Sequence, residues 1–215
     1  MHIIEIELYS SNLAETENFY KKVLGLKAEL SDKFSITFAI GYTKLIFRYV
    51  EGQKPVYHFA IDVPTNRFEQ AHSIMSSRVD LLRIDAGSIA DFVNWDAKSF
   101  YFYDNNGNIL EFITRYPNKE TSKEDFSSNS YLCISEVGLV TNDVPGLADK
   151  LKKQFGVPIF HRQPRADKFT VSGDDHGLFI IAEKGRDWYP TKVKSASFRT
   201  RVLFMNEGNL YHIVR

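Results

Sequence analysis

Alternation opens the chain. In IIEIELY (3–9), Ile4, Ile6 and Leu8 share one parity while Ile3, Glu5, Glu7 and Tyr9 share the other. That period of two predicts a strand with one buried face. Ser10-Ser11-Asn12 follows as a cluster of N-cap side chains. LAETENFYKKVLGL then sets Leu13, Phe19, Tyr20, Val23 and Leu24 near helical spacing, with Gly25 placed to end the helix. Three strand-like runs come next: KAELS, FSITFAI and KLIFRYV. The unit reads β-α-β-β-β.

The same order recurs, which is the signature of an internal repeat. VYHFAIDV (56–63) predicts a strand, RFEQAHSIMSSR (67–78) a helix, and VDLLRI, KSFYFYD and NILEFITR three strands. SEVGLVT begins a third unit, with VPGLADKLKKQFG as its helix and VPIFHR, KFTVSG and GLFIIAE as its strands. The final stretch resembles the end of the second unit: Gly107-Asn108-Ile109-Leu110-Glu111 parallels Gly208-Asn209-Leu210-Tyr211-His212. A fourth unit is thus reduced to its closing hairpin. Between units two and three, YPNKETSKEDFSSNS is polar, charged and rich in serine, and reads as a surface linker. The expected organisation is two paired units over 1–115, a linker over 116–130, and the third unit with a truncated fourth over 131–215. The expected class is α+β, with curled mixed sheets around a cleft and helices on the outer face.

Composition narrows the function classes. Lys+Arg and Asp+Glu are 27 each, so the net charge is zero, which argues against a nucleic-acid binder. The single cysteine, Cys133, lies in apolar YLCIS and reads as a small buried hydrophobe; with no intrachain disulfide possible, a reducing, cytoplasmic setting is the expectation. No run approaches the roughly 18 apolar residues of a membrane span. The aromatic share, 14%, is rich in Phe and Tyr; Trp95 and Trp188 are expected at a rim or core edge. One residue breaks its pattern. Glu111 is a carboxylate among Ile109, Leu110, Phe112 and Ile113.

Tandem β-α-β-β-β units of this length resemble the vicinal oxygen chelate superfamily, which groups glyoxalases, bleomycin-resistance proteins and extradiol dioxygenases. The resemblance rests on Asn12-Leu13 ahead of Phe19-Tyr20 and Val23-Leu24-Gly25-Leu26, on His58 opening the second unit, and on Phe102-Tyr103-Asp104-Asn105-Asn106-Gly107-Asn108-Ile109-Leu110-Glu111 closing it. The family usually has Pro where Asn105 stands. The resemblance implies that consecutive units share a cleft, with metal ligands on the first and last strands of each. The ligand set it implies here is Glu5, seven before Asn12; His58, seven before Thr65; and Glu111 on the last strand. His58 and Glu111 would also serve catalysis. KLIFRYV offers no fourth ligand. One nitrogen and two carboxylates suit Fe, Mn, Ni or Zn as a divalent ion.

The implied function is a metal-dependent lyase, isomerase or ring-cleaving dioxygenase acting on a small substrate with neighbouring oxygens. The alternative is a metal-free protein that binds aromatic, drug-like molecules. Plainer readings stand beside these: Glu5 as a solvated strand residue, His58 as a satisfied core histidine. Glu136, seven before Asp143, matches Glu5, and His212 matches Glu111; together they read as a second site, or, because the fourth unit is truncated, as a structural remnant or an interaction surface. A small molecule and a second copy of the chain are the expected partners, with no nucleic acid and no membrane.

Overall fold

The computed structural model describes residues 1–84 and 87–215. The first unit forms β1 (His2–Ser10), α1 (Leu13–Lys22), β2 (Ala28–Ser31), β3 (Ser35–Ile40) and β4 (Thr43–Tyr49). The second forms β5 (His58–Asp62), α2 (Phe68–Ser76), β6 (Ala90–Phe92), β7 (Ala97–Tyr103) and β8 (Ile109–Arg115). The third forms β9 (Cys133–Thr141), α3 (Val144–Phe155), β10 (Phe169–Asp174) and β11 (Gly177–Glu183), and the chain closes with the hairpin β12 (Arg201–Asn206) and β13 (Asn209–Val214). The class is α+β, as the alternating patterns require.

Local chemistry explains the helix ends. Asn12 accepts a hydrogen bond from the Glu15 amide at the start of α1, and Asp143 accepts one from the Gly146 amide at the start of α3. Gly156 ends α3 in the left-handed conformation, φ +69°, its amide returning to Leu151 and Lys152 carbonyls. Two expected strands do not form. VDLLRI contributes a single bridge from Ile84 to Gly87, and the edge position goes to β6 instead. VPIFHR contributes a single bridge from Ile159 to Ser172; Pro158 has no amide to give to a ladder. The 116–130 linker is less superficial than its composition suggests, because Phe126 is buried against Phe112 and Tyr131.

Among the described residues, thirteen strands make two sheets, ordered β13-β12-β1-β4-β3-β2 and β10-β11-β9-β5-β8-β7-β6. Unit one therefore shares its sheet with the closing hairpin, and unit two shares its sheet with unit three. This differs from the expected pairing of units one and two around a cleft. The reason lies in the leading strands: β5 pairs antiparallel with β9, and β1 pairs antiparallel with β12. β12 fills the place that a complete fourth unit would give its own leading strand.

One apolar core joins both sheets. It takes Ile3, Ile6 and Leu8 from β1, Phe59 and Ile61 from β5, Phe112 from β8, Val137 from β9 and Phe204 from β12. Ile3 rather than Ile4 faces this core, a correction to the simple alternation. A β-bulge between Ile3 and Glu5 shifts the register against β12 and resets which residue points inward. The opposite face of the second sheet carries the polar residues described next.

Candidate metal centre

Three adjacent strands build the centre through their register. Ala60 on β5 pairs with Glu111 on β8 on one side and with Glu136 on β9 on the other. His58 lies two residues back on β5, on the same face as Ala60. Because Ala60 is small, the three longer side chains meet over it. His58, Glu111 and Glu136 are buried at 6%, 2% and 2% exposure, and their ligating atoms lie within 4.8 Å of one another.

The imidazole is oriented for ligation. Its Nδ1 lies 3.1 Å from the Ile109 carbonyl oxygen. A carbonyl only accepts, so Nδ1 carries the proton and Nε2 faces the carboxylates. Nε2 is 3.6 Å from Glu111 Oε2 and 3.9 Å from Glu136 Oε2. These gaps exceed hydrogen bonds. They are close to the roughly 3–4 Å that separates two ligands of one ion when each bond is about 2.1 Å.

Surrounding groups hold the carboxylates in place. Tyr101 donates its hydroxyl to Glu111 Oε1 at 2.9 Å. Arg115, 3% exposed, donates to Glu136 and to Asp62. Ser135 donates to Asp62 at 2.6 Å and accepts from Arg115 at 2.8 Å. A bulge makes this possible: the β5–β9 register jumps between Ala60 and Ile61, so β9 has an extra residue at Ser135.

The protonation equilibria follow from burial and crowding. Desolvation first, and the Glu136 charge second, push the Glu111 carboxyl up to about 8. For His58, burial favours the neutral ring, but Glu136 and Glu111 outweigh it and raise its pKa. Asp62 is raised mainly by desolvation, with Arg115 opposing. Burial also raises Cys133 to about 12, so its thiol is an inert hydrophobe, as expected from YLCIS.

The sequence-derived positions fall as follows. His58 and Glu111 lie together in this cluster. Glu5 does not join them. It sits on the other sheet, ion-paired with Arg201, beside a buried Glu7 that is held by Arg48 and Arg199 at 2.6 Å each. Glu136 and His212 do not meet either, since His212 is exposed on β13 of the other sheet. Asp62 shares the parity of His58 and Ala60 on β5, but Arg115 and Ser135 had no signal in the alternation, and only the cross-strand register brings the three together.

A cavity of about 220 Å³ opens over the cluster. Its walls are largely aromatic, including Phe92, Trp95, Tyr101, Phe169 and Trp188. Trp188 comes from the segment between β11 and β12, where its amide donates to the Val193 carbonyl at 2.9 Å. Its ring centroid is 5.4 Å from that of His58. Gly138, two residues after Glu136 on β9, makes room: a Cβ there would stand 2.7 Å from Trp188 Cη2. Trp95 and Trp188 thus line the cavity at the edge of a second apolar cluster, in keeping with the expected rim or core edge.

No protein-family model and no curated protein matches the chain. Solved structures do. A Bacillus subtilis protein provisionally named a dioxygenase matches with a TM-score of 0.63 at 16% identity, over 100% of this chain and 84% of the other. A lactoylglutathione lyase from Agrobacterium tumefaciens matches at 19% identity and TM-score 0.44, over 52% of this chain and 92% of the other. A glyoxalase/bleomycin resistance protein/dioxygenase from Alicyclobacillus acidocaldarius matches at 17% identity and TM-score 0.45, over 54% and 93%. At these identities the likeness concerns architecture, and the full-length match covers both sheets. The chain shares the fold of the Bacillus subtilis protein, an α+β architecture of two curled sheets built on βαβββ units.

Proposed function

We propose that the protein is a divalent-metal-dependent enzyme for a small oxygenated molecule, with His58, Glu111 and Glu136 as the metal ligands. The observation that carries this reading is the convergence of those three buried groups from three adjacent strands. Their chemistry fits an ion. With Glu111 deprotonated and His58 neutral, as ligation requires, the carboxylates of Asp62, Glu111 and Glu136 face one guanidinium, Arg115, so two negative charges are left uncompensated. A divalent cation offsets both.

Glu136 here takes the role that the resemblance had given to Glu5. A bound cation would act as a Lewis acid toward neighbouring oxygens of a ligand. The chain itself supplies the rest. The Ile109 carbonyl fixes the His58 ring, Tyr101 and Arg115 hold the two glutamates, and Trp188 shields the cluster from water. The reaction type stays within the lyase, isomerase or ring-cleaving dioxygenase range.

A second reading, a metal-free binder of aromatic molecules, draws on the aromatic walls and on the readiness of Glu111 to hold a proton in place of an ion. Equilibrium dialysis against Mn(II), Fe(II), Ni(II) and Zn(II), followed by metal analysis, separates the two. The wild-type protein is expected to retain about one ion, His58→Ala and Glu136→Gln to bind more than about 100-fold more weakly, and Glu5→Gln to match wild type. Negligible uptake by wild type, or loss of metal in Glu5→Gln, would refute the assignment.

A further inference from the structure

The cavity lining holds one charged group outside the metal cluster, Arg186. Its guanidinium lies over the Phe169 ring at 4.5 Å, which fixes its plane against the wall. Nη1 donates to the Asp187 carbonyl at 3.2 Å. Among the described residues, Nε and Nη2 have no hydrogen-bond acceptor, and no carboxylate lies within ion-pair distance. The neighbouring Asp187 carboxylate is engaged elsewhere, 2.7 Å from Lys194 Nζ. Arg186 is half-buried, so its unused donors stand at the cavity wall with part of their hydration removed. A guanidinium in that state is a fork for a planar carboxylate.

Gln163 adds a second donor to the cavity lining. Trp95 Nε1 donates to its side chain at 3.2 Å, and because an indole N–H can only donate, the atom receiving it is the oxygen. The Gln163 amide nitrogen therefore remains available, with no protein acceptor among the described residues. The rest of the lining is largely aromatic, and about 220 Å³ accommodates little more than one substituted ring.

We propose that the cavity takes a small ring-bearing carboxylic acid whose carboxylate is held by Arg186 and Gln163. This deepens the proposed function, on which it rests for the opposite end of the ligand, where neighbouring oxygens would meet the metal cluster. Arg186 is then a specificity-determining residue: it selects acids over their neutral analogues.

Two pairs of probes test this by quenching of tryptophan fluorescence: benzoate against methyl benzoate, and 3,4-dihydroxybenzoate against catechol. Benzoate lacks neighbouring oxygens, so its pair is read in the presence of a chelator and depends only on the carboxylate end. Each acid is expected to bind about tenfold or more tightly than its neutral partner. Arg186→Met should abolish that preference, leave methyl benzoate binding within about twofold, and leave metal content unchanged. Equal binding of acid and neutral partner by wild type, absence of acid binding altogether, or a preference that survives Arg186→Met overturns the proposal. Failure of metal uptake with the benzoate preference intact would overturn the metal reading alone.

Discussion

At the scale of the residue, Glu111 concentrates the physics of the site. An unperturbed glutamate loses its proton near 4.5, whereas here burial and Glu136 hold the proton to about 8. Between those values the native state binds more protons than the unfolded chain, so stability falls as pH rises. The raised pKa of His58 acts in the same direction. Metal-free protein is therefore expected to lose stability progressively from about pH 4.5 to 8, with this contribution gone above 8. Thermal melts in chelator across that range check it. Glu111→Gln, which carries no charge to bury, should show a shallower decline; wild-type and variant curves running parallel would contradict the argument. Metal binding should tighten over the same interval as the competing proton leaves.

At the scale of the element, the centre depends on how strands align. Period-two alternation and the repeat comparison single out His58 and Glu111, because both break an apolar pattern within one unit. The repeat comparison also matches Glu136 to Glu5, but nothing local states which leading strand will lie beside β5. That choice is a long-range pairing, and it places Glu136 rather than Glu5 next to Ala60. The bulge at Ser135 is equally silent in the sequence: the extra residue shows itself only against a partner strand, and Arg115 acquires its partners through it. The first helix cap was legible by contrast, since Asn12 acts within three residues of itself. Gly138 on β9 supplies the prediction proper to this scale. Gly138→Ala would drive a methyl into the buried Trp188 ring, so destabilisation of about 1–3 kcal/mol is expected. A changed tryptophan emission should accompany it; a variant with wild-type stability and spectrum would show that the ring moves aside freely.

At the scale of the whole molecule, the sheets are not independent bodies. Ile3, Leu8 and Phe204 from one share a core with Phe59, Phe112 and Val137 from the other. Gly41 reinforces the joint. It adopts φ +55° in the β3–β4 turn, where any Cβ would fall 1.9 Å from the Leu132 carbonyl oxygen. Unfolding in urea is therefore expected to be a single transition, with far-ultraviolet circular dichroism and tryptophan fluorescence coinciding. Separate midpoints would reveal two cooperative units. The contrast between the two carboxylate clusters then gains meaning. Glu5 and Glu7 are answered by arginines that belong to the chain, whereas on the proposed function Glu111 and Glu136 meet a cation from outside it, or a proton in its absence. On that reading, one half of the molecule carries its counter-ions by inheritance and the other borrows them. Because a common core ties the halves together, a cation held by the proposed site would raise the stability of the entire chain with the logarithm of its free concentration.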